Sequence, residues 1–120
     1  MNDVANAVAV YTALAPVVRT TSVNGSGIDM IAADGPCFAV QQIGAISEDV
    51  AWVGHIEESD NNSTWTAIDD AEFASVDAPS NIQTITFQRR KRYLRYVGTP
   101  TGTDPSVPVS AFIGQLHKTF

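Results

Sequence analysis

Trp52-Val53-Gly54-His55-Ile56-Glu57-Glu58-Ser59-Asp60-Asn61-Asn62-Ser63-Thr64-Trp65-Thr66-Ala67-Ile68 is the stretch on which the fold turns. Two runs of strand-forming residues flank positions 58–63, which are crowded with Ser, Asp and Asn. Those short polar side chains bond their own backbone and tolerate left-handed conformations, so the pattern predicts a hairpin. Trp52 and Ile56 share a parity in the first run and therefore share a face of a strand. Directly after the second run, Asp69 and Asp70 are placed to cap a short helical turn over 69–73, since carboxylates favour a helix N-terminus.

Working outward, residues 82–88 alternate, with Ile85 and Phe87 pointing one way and Thr84, Thr86 and Gln88 the other, as in a half-buried strand. Residues 92–98 make another strand, with Leu94 and Tyr96 on one parity. The last runs over 107–116, with Val107, Val109, Ala111 and Ile113 on one side. Upstream, 17–23 is rich in β-branched residues and bounded by Pro16 and Asn24-Gly25. A short strand at 28–31 and an apolar one at 37–43 follow. Roughly eight short strands at this spacing predict an all-β chain folded as an antiparallel β-sandwich, jelly-roll-like in arrangement. Residues 1–16 fit neither helical nor strand period cleanly and are expected to form an N-terminal arm preceding a sandwich domain over 17–120.

At 120 residues the chain has the size of one domain, and 44% hydrophobic against 17% charged residues argues for a packed core over disorder. The net charge of -6 repels nucleic acid and anionic membranes, so neither is expected as a partner. No apolar run is long enough to span a bilayer and no basic leader opens the chain, which implies synthesis in a cytoplasm. The one cysteine, Cys37, lies in an apolar run and is expected to be a small buried side chain, leaving no disulfide or metal framework. Gly25-Ser26-Gly27 lacks the lysine and the glycine spacing of a phosphate loop and is expected to be a plain turn.

Five of the seven basic residues fall at Arg89, Arg90, Lys91, Arg92 and Arg95 in this acidic chain. Four consecutive cations between two strands cannot all point one way, and their long side chains suit either ion pairing or docking on an acidic protein surface. Residues 57–62 resemble oxygen ligands for calcium but lack the spacing of a calcium loop with its mid-loop glycine, so a solvated turn is preferred. His55 and His117 have no nucleophile or metal partner in the sequence, and no catalytic constellation or cofactor motif is present. The expectation is a binding protein and not an enzyme.

Four segments carry a family resemblance: Thr20 to Met30, Ile56 to Trp65, Lys91-Arg92-Tyr93-Leu94-Arg95-Tyr96, and Val109-Ser110-Ala111-Phe112-Ile113-Gly114-Gln115. Their order resembles that of small structural proteins encoded among the virion genes of tailed bacteriophages, over about residues 17–117. The resemblance implies a head decoration or cement protein on the capsid surface that binds the major capsid protein, commonly as a trimer, with no cofactor. A tail or head-tail connector component would look similar. On that basis Arg89, Arg90, Lys91 and Arg92 are the expected electrostatic contacts, and Val4, Val8, Val10 and Tyr11 the contacts of an arm whose removal leaves the domain folded. Residues 58–65 also look like the hairpin of discoidin-type carbohydrate-binding sandwiches, which implies an alternative lectin-like role for Ser59, Asp60, Asn62 and Trp65.

Overall fold

The computed structural model describes residues 8–31 and 33–117. Its strands are β1 (Val8–Arg19), β2 (Val23–Asn24), β3 (Ile28–Asp29), β4 (Ala33–Ile43), β5 (Ala51–Ser59), β6 (Thr66–Glu72), β7 (Asn81–Phe87), β8 (Tyr93–Thr101) and β9 (Val107–His117). One sheet has the order β1-β9-β4-β7 and the other β2-β8-β5-β6, with β3 also pairing with β8. β2 and β3 are two pieces of one edge, both antiparallel to β8. Counted as a single strand, they give eight positions ordered 1-8-3-6 and 2-7-4-5, which is the jelly-roll arrangement. The expected antiparallel sandwich is what the chain forms.

Parity carries over from sequence to packing. Trp52, Gly54, Ile56 and Glu58 face inward from β5, and Leu94, Tyr96 and Gly98 from β8. Val107, Val109, Ala111 and Ile113 of β9 are buried together, as their alternation predicts. Cys37 is buried in the same core, where desolvation pushes its thiol pKa up.

Two expectations are corrected. The helical turn expected over 69–73 is strand: β6 pairs with β5 through Glu58↔Thr66, Glu57↔Ala67 and His55↔Glu72. Ala71 and Phe73 both enter the core while Glu72 between them is exposed, a two-residue alternation that a helical turn does not provide. The second concerns the boundary at residue 16, which falls inside β1. That strand pairs with β9 from Val8↔Leu116 to Arg19↔Val107, and Ala9, Ala13 and Leu14 are buried. Register shifts around Leu14 accommodate Pro16, which an edge strand tolerates because one side of its backbone needs no partner. Of the expected arm, residues 1–7 lie outside the described residues.

Between the sheets runs a buried chain of polar groups. Trp52 Nε1 donates to Tyr96 Oη at 2.8 Å, and Tyr96 Oη donates to Gln41 Oε1 across the sandwich. All three side chains are fully buried. The glycines beside them give the room: a Cβ at Gly98 would overlap the Trp52 ring, and one at Gly54 would overlap Gln41 Oε1 and Tyr96 Oη. Burial pushes the Tyr96 pKa well above its ordinary value, so the hydroxyl keeps its proton throughout the physiological range.

Tyr96→Phe leaves the Trp52 N–H without its acceptor and is expected to cost about 1–3 kcal/mol, read as a lowered urea midpoint at unchanged slope. Deleting residues 1–15 removes most of β1 from the sheet. Loss of Leu14 packing alone costs about 2–5 kcal/mol, a large share of the ~5–15 kcal/mol typical of a domain. The truncated chain is expected to lose its cooperative thermal transition in calorimetry.

Candidate docking surface

The basic segment 89–92 connects β7 to β8, and its four side chains diverge. Arg89 turns into the fold: Nε donates to Gln115 Oε1 at 2.8 Å, Nη1 to Lys91 O at 2.9 Å and Nη2 to Met30 O at 2.9 Å. The planar fork thus ties β9, the residue after β3 and its own turn together, a role suited to five donors in fixed geometry. Arg92 lies outside and grips Asp29 with both arms, Nε to Oδ1 at 2.9 Å and Nη2 to Oδ2 at 2.6 Å, while its guanidinium sits 5.2 Å from the Tyr93 ring centre. The hydrogen bonds from Arg92 hold the Asp29 carboxyl down at about 2. Arg90 donates its backbone N–H to Glu58 Oε1 at 2.8 Å and leaves its side chain exposed. Neither Arg90 nor Lys91 has an ion-pair partner among the described residues.

Arg90 stands at the rim of a cleft of about 720 Å³ between the edge strands β6 and β7, lined also by Glu58, Asp69, Asp70, Thr86 and Phe87. Glu58 is almost fully buried. Its inward position follows from sharing a parity with Trp52 and Ile56, a signal present in the sequence but obscured by assigning Glu58 to the hairpin tip. β5 in fact continues to Ser59. Asp69 and Asp70, expected as helix caps, line the cleft as exposed residues of β6. Among the described residues, no three His, Cys, Asp or Glu side chains converge as a metal site.

The hairpin between β5 and β6 is organised by Asn61. Its Oδ1 accepts from Ser63 N at 2.9 Å, Thr64 N at 2.8 Å and Ser59 Oγ at 3.0 Å, closing the turn on itself. Asn62 takes the left-handed conformation with φ 59°. Of the residues expected to meet a ligand, Ser59 is fully buried, while Asp60 and Asn62 are exposed. Trp65 is half-buried with the Arg95 guanidinium 4.6 Å over its ring. Arg95 is held there by Glu57, with Nε at 2.8 Å and Nη2 at 2.6 Å from Oε1, and Glu57 also meets His55 Nε2 at 3.1 Å. Burial pushes the Glu57 pKa up, but the hydrogen bonds from His55 and Arg95 more than offset it and the net shift is downward. This ladder from His55 through Glu57 and Arg95 to Trp65 joins three segments and has no signature in the sequence.

The residues expected on the arm separate as well. Val4 lies outside the described residues, and Val8 stands opposite Leu116 in β1. Val10 is 58% exposed, whereas Tyr11 packs against the core.

No family model and no curated protein matches the sequence. Among solved structures, the chain is similar to the crystal structure of PBSX exported protein XepA, with 21% sequence identity and a TM-score of 0.62. The alignment covers 93% of this chain and 38% of that one, so the chain spans well under half the length of XepA. At this identity the likeness is one of fold: a β-sandwich that serves elsewhere as part of a longer chain.

Asp29 contributes stability through its charged form, because its folded pKa of about 2 lies below the ordinary 3.8. That contribution is complete above 3.8 and disappears as the pH falls toward about 2. A carboxyl NMR titration is expected to place the Asp29 midpoint near 2 and to return it toward 3.8 in Arg92→Ala.

Proposed function

We propose that this chain is a non-enzymatic structural module of a phage particle that works by docking on a repeated protein surface, in its most specific form a decoration protein on the outside of the capsid shell. The fold likeness to PBSX exported protein XepA and the resemblance to small virion proteins both support a phage setting. The observation that carries the docking role is the turn after β7. Arg89 and Arg92 are bonded so as to hold the turn in shape, and Arg90 is left exposed at the rim of the cleft without an ion-pair partner among the described residues. A cation presented on a pre-ordered turn loses little entropy on binding, which favours contact with an acidic protein surface.

The mechanism is mass action. A module that binds the assembled shell and not its free subunits stabilises the shell by linkage, and many copies multiply the effect. A sugar ring has less to bind here, because Ser59 is buried and the Trp65 face is covered by Arg95.

Co-sedimentation with purified capsid shells tests the proposal. The wild-type chain is expected to pellet with shells, Arg90→Glu to bind about tenfold or more weakly as a lost charge contact at an interface would, and a glycan array to remain blank. No shell binding by the wild-type chain, or strong glycan binding, overturns it.

A further inference from the structure

The cleft between β6 and β7 owes its shape to an irregularity in β6. Between the pairs Glu57↔Ala67 and His55↔Glu72, two steps along β5 are answered by five along β6, so three extra residues are accommodated over 68–71. A bulge bends its strand and re-aims side chains. All five residues from Thr66 to Asp70 accordingly line the cleft, where a regular strand turns every second side chain away. Its volume of about 720 Å³ is that of a small-ligand site, and Phe87, from the other sheet, gives it an apolar wall opposite Ile68.

Glu58 lines this cleft with only 8% of its surface exposed. Its Oε1 accepts from Arg90 N, but Oε2 accepts no hydrogen bond and meets no cation among the described residues. Nor is Oε2 sealed in. The side-chain atoms that are both sealed and unbonded among the described residues are Arg19 Nε and Gln41 Nε2, so Oε2 opens onto the cleft. Arg89, on the adjoining turn, directs Nε, Nη1 and Nη2 to Gln115, Lys91 and Met30 instead. A carboxylate so deeply buried with one oxygen unmet favours a donor that brings positive charge with it.

We infer that the cleft binds the basic side chain of a protein segment, an arginine or a lysine, with its cationic head on Glu58 Oε2 and its aliphatic stem between Ile68 and Phe87. Charge selects the class of ligand. The ionisable groups of the lining are Glu58, Asp69 and Asp70 against the single cation Arg90, so the cleft attracts cations and repels anions. The stem fits because long basic side chains lay their methylene groups along apolar surface while the head finds its partner. Arg90 at the rim decides the source of the cation. A free diamine that put one ammonium on Glu58 would bring its second toward the Arg90 guanidinium, whereas a peptide segment carries main-chain carbonyl oxygens there, which accept from it.

The inference stands on the cleft and its carboxylate and is independent of capsid docking; the test therefore uses the chain alone. Amide NMR titration with N-acetyl-arginine methylamide is expected to give saturable shifts at Glu58, Asp69, Phe87 and Arg90, with a Kd of about 1 mM for so small a ligand. The citrulline analogue, which keeps the shape and loses the charge, and 1,4-diaminobutane are both expected to bind about tenfold or more weakly. Glu58→Gln keeps an acceptor for Arg90 N and is expected to weaken arginine binding about tenfold or more with an unchanged circular dichroism spectrum. If that variant does not fold, Asp69→Asn with Asp70→Asn, both at exposed positions, is expected to weaken binding about two- to fivefold. No saturable shift up to about 20 mM arginine derivative, shifts centred outside the cleft, equal binding of the citrulline analogue, or binding indifferent to these substitutions overturns the inference. Binding of 1,4-diaminobutane as tight as that of the arginine derivative overturns the assignment to a protein segment.

Discussion

The Tyr96 hydroxyl is the point at which the two sheets are tied together. A sandwich core of aliphatic side chains holds its sheets at the right distance but tolerates sliding, because apolar burial has no direction. A hydrogen bond does have one. With Trp52 donating to Tyr96 and Tyr96 donating to Gln41, the pair β5-β8 in one sheet is registered against β4 in the other. Misalignment would leave polar groups unsatisfied in a medium where that is costly. Gly54 and Gly98 belong to the same constraint, since their missing side chains are what let two large rings and an amide lie within the layer.

Arg89 does for the rim what Tyr96 does for the core. Its guanidinium reaches Met30 O, Lys91 O and Gln115 Oε1, while Gln115 in turn donates to Gly35 O. One cation therefore closes the end of the sandwich where three connections meet. Arg95 plays a comparable part on the outer face of the other sheet, covering Trp65 from its seat on Glu57. Most of the charge crowded into 89–95 is thus structural, since Arg89, Arg92 and Arg95 are each held in bonds within the fold. The side chains of Arg90 and Lys91 stay outside these bonds and form no ion pair among the described residues.

The protection of the edges and the placement of charge are two aspects of one surface. Wherever a strand of this sandwich lies open and long, it is bulged or acidic, except at β7. The exception adjoins the turn that Arg89 and Arg92 hold in shape, so a neutral edge and a pre-ordered cationic turn are neighbours in sequence and in space.

The sequence by itself determined the class of fold, the hairpin, the inward parity of β5, β7, β8 and β9, and the burial of Cys37. Each of these rests on alternation or on turn chemistry, which are local and therefore written in consecutive residues. It could not separate a capped helical turn from β6, because Asp69 and Asp70 satisfy both patterns until β5 is there to pair with. Nor could it tell an arm from β1, whose partner β9 lies about a hundred residues away and supplies the register that the strand's own irregular alternation lacks. The same holds for the basic cluster: four adjacent cations look alike in sequence, and only Gln115, Asp29 and Glu58, brought in from distant strands, decide which are held inside and which face out. Tertiary structure decides these matters because a long-range contact has no signature in the residues beside it.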